Sequence, residues 1–289
     1  MWKGRSDAPF NFVWSNCNKI NGVFFGVNST FNNCCLLLHK VKKCVNMYSG
    51  RNLTLFGRSL IANTVIAAQL WYIGSIIILP ETLITAINRC LFKFVWRNKI
   101  QCINRRTLTQ PPENGGLNLV HIKTKLASLR CAHLKQLVEG SQSNWTAFAV
   151  YYIGHQIKEH KPEYAANNRP HAKQPSAFYV DVLNALKQYK IINKSIKTSD
   201  LNAKSTYKCL LELDSVQPVI EKKLTNVNFN VAWKAVSNQV LSPWARDISW
   251  RLLHNVLPVA AHLYHLHITR NVTCVYCNWP ETFAHCFYS

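Results

Sequence analysis

The chain has 289 residues, 48% of them hydrophobic, which argues against disorder of the whole chain and provides for a sizeable core. Its 34 Lys and Arg residues against 13 Asp and Glu residues give a formal net charge of +21, which favours nucleic acid over an anionic membrane as the partner. The start of the sequence lacks the apolar segment of a secretory signal, so its 11 cysteines predict an intracellular protein, nuclear or cytoplasmic, with free or metal-bound thiols.

The positive charge is concentrated in the first half of the chain. Residues 1–140 contain 18 basic and 4 acidic residues, and Glu81 is the single acid between Lys19 and Arg106. Protein surfaces usually mix charges of both signs. We therefore expect this half to carry the surface that contacts a polyanion.

The predicted elements are mostly helices. Apolar residues at helical spacing predict helices at 36–49, 55–78, 81–96 and 119–138. The second of these follows Thr54, a candidate N-cap, with a break expected near Gly74. The remaining predicted elements are a strand at 23–27, a basic extended segment at 98–109, helices at 177–190 and 199–212, and two or three helices over 229–267.

These elements predict a mainly α fold with four parts. Three prolines and an Asn-Asn pair predict an irregular linker between two helical regions. The parts are 1–35, a basic helical region at 36–140, the linker at 141–176, and a helical C-terminal region at 177–289 that ends in a metal-binding turn at 274–289.

The longest apolar run, 60–80, is long enough to be mistaken for a membrane span. A span needs about 20 apolar residues, whereas this run contains Asn63, Thr64 and Gln69 and ends at Pro80. We expect a buried amphipathic helix here and no membrane partner.

Basic residues interleaved with aromatic residues form the first candidate site. Basic side chains neutralise phosphates, and aromatic rings stack on unpaired bases. Trp71 and Trp96 lie in apolar stripes, so we expect both in the core, whereas Tyr48 and Tyr72 stay open to either role. The candidate phosphate contacts are Lys40, Lys42, Lys43, Arg51, Arg58, Arg89, Lys93, Arg97, Lys99, Arg105 and Arg106.

The second candidate site is a metal site near the C-terminus. Cys274, Cys277 and His285 have the spacing C-x2-C-x7-H, and two thiolates on one turn can hold a single Zn²⁺. A structural zinc site needs four ligands, and the candidates for the fourth are Cys286, His262, His265 and His267.

Residue patterns for catalysis are absent from the sequence. Two-metal polymerases and nucleases need clustered carboxylates, but Asp7 is the only Asp in the first 180 residues. There is also no Gly-rich phosphate loop, Gly-x-Ser-x-Gly or His-Glu-x-x-His motif. We therefore predict no catalytic residues and interpret the histidines at 254–267 as core or surface residues.

Two segments resemble non-LTR (LINE-type) retrotransposon reverse transcriptases. Residues 50–58, 61–63, 70–72, 91–96 and 115–119 are similar to the thumb of that family, with its Arg-x-Leu-Thr-x-x-Gly-Arg helix, Phe-x-Trp helix and Gly-Gly-Leu turn. Residues 22–26 resemble the end of the palm. Residues 232–234, 250–258 and 274–288 are similar to the zinc-binding region of the same family, in which a Trp-Arg-x-x-His-x-x-Leu-Pro helix precedes a Cys-x-x-Cys-x7-His-x4-Cys knuckle.

The resemblance implies that the parent protein is an RNA-directed DNA polymerase that uses Mg²⁺ and copies element RNA from a nicked genomic end. The palm with its catalytic aspartates would lie before Met1, and the last cysteine of the knuckle would fall one residue after Ser289. This chain would then grip element RNA, template–primer or target DNA without polymerising on its own. The alternatives are an adopted or degenerate zinc-dependent nucleic-acid-binding protein, and a helical interaction module with no nucleic-acid role.

Overall fold

The computed structural model describes residues 16–139, 143–157, 175–192, 201–223, 228–238 and 240–288. The fold is mainly α, as the sequence predicts, with one two-stranded sheet among the described residues. The helices pack into two apolar cores that share one long helix.

A β-hairpin opens the described chain. Strand β1 (Cys17–Ile20) pairs antiparallel with β2 (Val23–Gly26) across a turn at Asn21 and Gly22, both with positive φ. The strand predicted at 23–27 is confirmed, and its partner was missed. Helix α1 (Ser29–Ser49) begins seven residues before the predicted start, because the Asn33 side chain donates to the Phe24 carbonyl and accepts from its N–H, which fastens α1 to the hairpin.

The helix predicted at 55–78 is interrupted, but at another position than expected. Helix α2 (Leu55–Ile61) is capped by Thr54 as predicted, continues through a π-helical turn (Ala62–Ile66), and leads into α3 (Ala68–Ile76). The π turn presents Asn63, whose side chain donates to the Asn118 carbonyl at 2.7 Å and accepts from the Val120 N–H at 2.8 Å. Gly74 lies within α3, where a Cβ would meet the Leu126 side chain at 2.6 Å, so it permits close helix packing and does not break the helix.

The stretch Leu55–Ile76 is the one described helix that is long and apolar enough to cross a membrane by length and composition. Its buried residues, which include Ala62, Ile66 and Leu70, lie in the first core. The core helix of a globular fold has the same composition, so the stretch is accounted for by this packing.

The first core is completed by helices from both ends of the chain. Helix α4 (Glu81–Val95) follows the prediction closely, whereas the segment expected to be extended contains α5 (Arg105–Thr109). Five described helices follow much later in the chain: α10 (Val219–Lys223), α11 (Phe229–Ser237), α12 (Pro243–Leu253), α13 (Ala260–His265) and α14 (Phe283–Tyr288). Of these, α11 and α12 return to the first core through Trp233 and Trp250.

The second core forms around the C-terminal half of α6 (Ile122–Val138). Against it pack α7 (Asn144–Ile153), α8 (Ala177–Ile192) and α9 (Ala203–Leu213). The prediction of an irregular linker is wrong for α7, because its run of apolar and aromatic residues packs beside α8. Residues 158–174 of that linker lie outside the described residues. The cores therefore group 229–253 with the basic half of the chain and not with α8 and α9.

Candidate nucleic-acid face and metal centre

The predicted metal ligands come together in the structure. The ligand atoms of Cys274, Cys277 and His285 all lie within 4.8 Å of one another, and Cys277 Sγ is 3.2 Å from His285 Nε2. Two thiolates and one imidazole are a donor set that suits Zn²⁺. The arrangement can hold a metal ion, and we call residues 274–285 the metal turn.

Local hydrogen bonds fix the metal turn. The Cys274 N–H donates to the Trp279 carbonyl at 2.7 Å, and Asn278 takes a positive φ that closes the turn. His285 lies in α14, and its N–H donates to the Thr282 hydroxyl at 3.2 Å. A bridged turn and a short helix therefore bring the three side chains to one point.

The metal turn also favours thiolate formation. Hydrogen bonds from the Tyr276 backbone N–H, and next from the His285 ring, lower the pKa of Cys274 to about 7. The thiolate is the metal-binding form, and this shift increases the fraction of Cys274 in that form at neutral pH.

None of the candidates for the fourth ligand joins the three within the described residues. Cys286 follows His285 in α14, and burial, then the charges of Glu281 and Cys274, raise the pKa of its thiol. His262, on α13, lines a cleft together with Arg58 of α2 and Val95 of α4. The fourth ligand therefore stays open between Cys286, a further residue and solvent.

Four of the predicted phosphate contacts meet in one cavity of about 330 Å³. Arg51, Arg58, Lys93 and Arg97 line it, where the end of α1 meets the end of α4. No acidic residue of the described chain lines this cavity, which we call the basic cavity. Clustered cations without a carboxylate favour an anionic ligand over an internal ion pair.

Arg58 differs from the other three and corrects its predicted role. It is 3% exposed, and its guanidinium donates to the carbonyls of Phe94, Ser49 and Arg51 at 3.0 to 3.4 Å. Burial lowers its pKa, and the charge of Arg97 lowers it further. Arg58 therefore stabilises the backbone around the basic cavity, and its exposed neighbours are the candidates for a direct phosphate contact.

The remaining predicted contacts are exposed but are not gathered into this cavity. Arg106 is ion-paired with Asp214 at 3.0 Å, and Arg105 donates to Gln101 and covers the Phe92 ring. The others lie on exposed positions of α1, of α4 and of the segment after α4: Lys40, Lys42, Lys43, Arg89 and Lys99.

The aromatic residues divide as the sequence suggests. Trp96 is buried, and Trp71 packs against the first core, so the prediction that both are core residues is confirmed. Tyr48 is half-buried with the Arg51 guanidinium 4.9 Å from the centre of its ring, while Tyr72 is exposed.

Sequence reasoning missed how the two family-like segments meet. The Gly115 carbonyl accepts hydrogen bonds from Trp250 Nε1 at 3.0 Å and His254 Nε2 at 2.7 Å, an arrangement that we call the aromatic clasp. Gly115 has φ +76°, and a Cβ there would meet the Trp233 ring at 2.9 Å. These contacts confirm His254 as a packed histidine. Gly115 lies more than 130 positions from Trp250 and His254, so only the family motifs could have suggested that they meet.

The sequence also gave no sign of a larger cleft beside the basic cavity. It measures about 510 Å³ and lies between the segment after α4 and the helices α12 and α13. Arg58 and Arg97 line both spaces, so the cleft adjoins the basic cavity.

No protein-family model matches the chain, and no curated protein matches it significantly.

Proposed function

We propose that this chain is the thumb and C-terminal region of a non-LTR retrotransposon reverse transcriptase, and that it binds nucleic acid through phosphate contacts. The observation that carries the proposal is the basic cavity, where exposed Arg51, Lys93 and Arg97 converge without an acidic neighbour. Clustered cations on a rigid frame bind phosphates, and the released counterions drive the association.

The contact between the two family-like segments supports the same proposal. The Gly-Gly-Leu turn and the Trp-Arg-x-x-His helix belong to different halves of the sequence, and Gly115 joins them through Trp250 and His254. A chance match in two unrelated segments would have no reason to place these residues in contact. In the parent protein, the thumb would hold the backbone of the template–primer while another domain polymerises.

The salt dependence of binding tests this proposal. We expect a short DNA duplex to bind the full chain with log K falling against log salt by about 0.9 for each phosphate contacted. The double variant Lys93→Gln and Arg97→Gln should flatten the slope by about 2. The matched control is Lys187→Gln with Lys208→Gln, two exposed lysines on α8 and α9.

Three results are possible, and each decides the proposal. A steep slope that flattens only in the cavity variant supports it. A slope that both double variants flatten equally places the binding on diffuse charge and removes the basic cavity from it. No binding at low salt would favour the helical interaction module instead.

We further propose that the metal turn holds Zn²⁺ as a structural ion. Its Cys2His donors and the lowered pKa of Cys274 fit zinc, and the ion would cross-link the turn to α14. Purified chain should contain zinc that Cys277→Ser removes and that Cys35→Ser, an exposed cysteine on α1, retains. Equal zinc in both variants would contradict the assignment.

The fourth ligand can be found by the same measurement. Cobalt substitution reports the number of thiolates through its visible absorption, and Cys286→Ser removes one only if Cys286 is a ligand. A chain lengthened by one cysteine after Ser289, where the resemblance places the last ligand, should bind zinc more tightly because four ligands close the tetrahedral site. Unchanged affinity would contradict that spacing.

A further inference from the structure

The larger cleft beside the basic cavity gathers exposed apolar side chains. Ile100, Trp244 and Ile268 line it and are 50%, 48% and 52% exposed. They come from three parts of the fold, which are the segment after α4, the first turn of α12 and the segment after α13. Single exposed apolar residues are ordinary on a protein surface, but a group that converges on one concave surface is typical of a binding site.

The rest of the lining is preformed and mainly aliphatic. Leu55 and Val95 line the cleft from the first core, where both are buried, and Leu263 of α13 also lines it. Of the two lining tryptophans, Trp96 is only 6% exposed, so Trp244 is the one whose ring is open to a ligand. Unpaired bases need aromatic faces to stack on, whereas an aliphatic cleft of about 510 Å³ suits the apolar side chains of a peptide.

The exposed charges of the cleft are positive. Asp247 is the only acid that lines it in the described chain, and this carboxylate is buried and ion-paired with Arg251 at 2.8 Å. Arg97 and Lys99 also line the cleft and are exposed. Arg97 donates to neutral oxygen atoms, and the Lys99 side chain has no partner among the described residues. A ligand that complements this surface therefore carries carboxylates beside its apolar groups.

Charge complementarity selects one kind of occupant. A second copy of this chain would bring the same exposed cations and a formal net charge of +21, so self-association through this surface is opposed by repulsion. An amphipathic helix binds an apolar groove through side chains at positions i, i+4 and i+7, which lie on one face. If acidic residues flank that face, the helix matches both the apolar lining and the positive charges of the cleft.

We propose that the larger cleft docks an acidic amphipathic helix of a partner protein. The apolar face of the helix contacts Ile100, Trp244 and Ile268, and its flanking carboxylates pair with Arg97 and Lys99. Buried apolar contact supplies most of the affinity, while the charges orient the helix and speed its association. This inference is independent of the proposed function, because the cleft can take a helix whether or not the basic cavity holds phosphates.

Three fluorescently labelled synthetic peptides test the proposal on the full chain. The first has about 16 residues of Ala, Gln and Glu, with Leu, Phe and Leu at i, i+4 and i+7 and Glu on both sides of that face. The second has the same composition with its apolar residues spread around the helix, and the third has Lys in place of every Glu. The first should bind about tenfold more tightly than either of the others, because it alone combines a continuous apolar face with acidic flanks.

Protein variants and cross-linking locate the bound peptide. Trp244→Ala should weaken binding of the first peptide about tenfold, whereas Trp279→Ala, the matched control at an exposed tryptophan outside the cleft, should leave it unchanged. Lys99→Gln should weaken it about threefold at low salt and hardly at high salt, because salt screens an exposed charge. A photoreactive group at the Phe position should cross-link to residues 95–102 or 244–268 of the unmodified chain, which keeps the test valid if a variant does not fold.

The outcomes decide this inference without deciding the proposed function. Tight binding of the first peptide alone, lost in Trp244→Ala, supports the inference. Absence of peptide binding, equal binding of the first and second peptides, or cross-links confined to other segments would overturn it. If Trp244→Ala instead weakens a single-stranded oligonucleotide and leaves peptide binding unchanged, the cleft is a nucleic-acid surface and the inference also falls. Duplex binding at the basic cavity is measured separately in each case.

Discussion

The aromatic clasp and the metal turn lie in the same C-terminal region, yet different forces hold them. Trp250 of the clasp is 1% exposed and is hydrogen-bonded to Gly115, whereas Tyr276 and Trp279 of the metal turn are 97% and 72% exposed. Buried apolar area stabilises the clasp without any ligand. The metal turn has little buried surface, so its order depends on backbone hydrogen bonds and on the zinc ion that we propose.

The comparison teaches that family-like motifs can have opposite physical roles within one region. The Trp-Arg-x-x-His motif lies at the end of α12, and its Trp and His side chains fix where α12 packs against the basic half of the chain. The Cys/His turn is a small unit beside that frame, linked to α13 by the hydrogen bond from the Ala261 N–H to the Glu281 carbonyl at 3.1 Å. Breaking one should therefore leave the other largely intact.

The largest expected effect is from loss of the Trp250 side chain. Trp250→Ala should destabilise the chain by about 4 kcal/mol, because it opens a cavity in the first core and leaves the Gly115 carbonyl short of a donor. Chemical denaturation measures this free energy of unfolding. The matched variant Trp279→Ala, in the exposed turn, should change it by less than about 0.5 kcal/mol. Equal effects of the two variants would remove the contrast between clasp and turn.

The second effect comes from Asp247, a buried carboxylate on the same helix as Trp250. Asp247 accepts a hydrogen bond from the Leu55 N–H at the start of α2 and is ion-paired with Arg251. Asp247→Asn should cost about 3 kcal/mol, the lower end for a broken buried pair, because Arg251 is partly exposed. Glu113→Gln, at an exposed turn, is the control. A loss below about 1 kcal/mol would show that Asp247 does not anchor α12.

The third effect is a pH dependence that originates in His254. Burial lowers the pKa of His254 to about 4, despite the hydrogen bond to Gly115 that opposes the shift. Since the unfolded chain takes up this proton near pH 6.5 and the folded chain does not, stability is full above pH 6.5 and falls as the pH drops toward 4. The loss should be about 3 kcal/mol by pH 4.

Comparison with a His254→Gln variant isolates this proton from the titrating carboxylates. The variant should be less stable at pH 7 and should lose less stability than the parent chain between pH 6.5 and 4. Parallel pH profiles of the two proteins would assign the acid sensitivity to other groups.

The smallest expected effect on global stability is from metal removal. Chelation should change the free energy of unfolding of the main transition by less than about 0.5 kcal/mol, because the turn opens locally without the core. At the same time, the reactivity of the Cys274 and Cys277 thiols should rise, which mass spectrometry of alkylated peptides measures. A large fall in the main melting temperature would show that the turn and the clasp unfold as one unit.

The sequence predicted the elements whose signals are local. Helix α4 and the Thr54 cap follow from apolar spacing and capping chemistry, and the three metal ligands follow from a fixed short spacing. The errors occurred where distant residues decide a conformation. The break in the long apolar helix follows from the partners of Asn63, and the role of Gly74 follows from Leu126, neither of which is close in sequence.

Arg58 and Arg97 show the same division within the candidate site. Both are basic residues in a basic stretch, and composition treats them alike. In the fold, three backbone carbonyls enclose Arg58, whereas Arg97 follows the end of α4 with a positive φ and stays exposed while it donates to the Asn52 side chain and the Leu53 carbonyl. Burial separates the two roles, and burial depends on how α2 packs against α4.

By itself, the sequence determined the helical class, the excess of positive charge in the first half and the Cys/His cluster that could hold a metal ion, because periodicity, composition and short spacing are local properties of the chain. Only the tertiary structure decided that the C-terminal helices return to the first core, that four basic residues share one cavity, and that a cleft between α12, α13 and the segment after α4 adjoins it. Each of these depends on contacts across tens to hundreds of positions, which packing of the whole chain selects and no local pattern encodes.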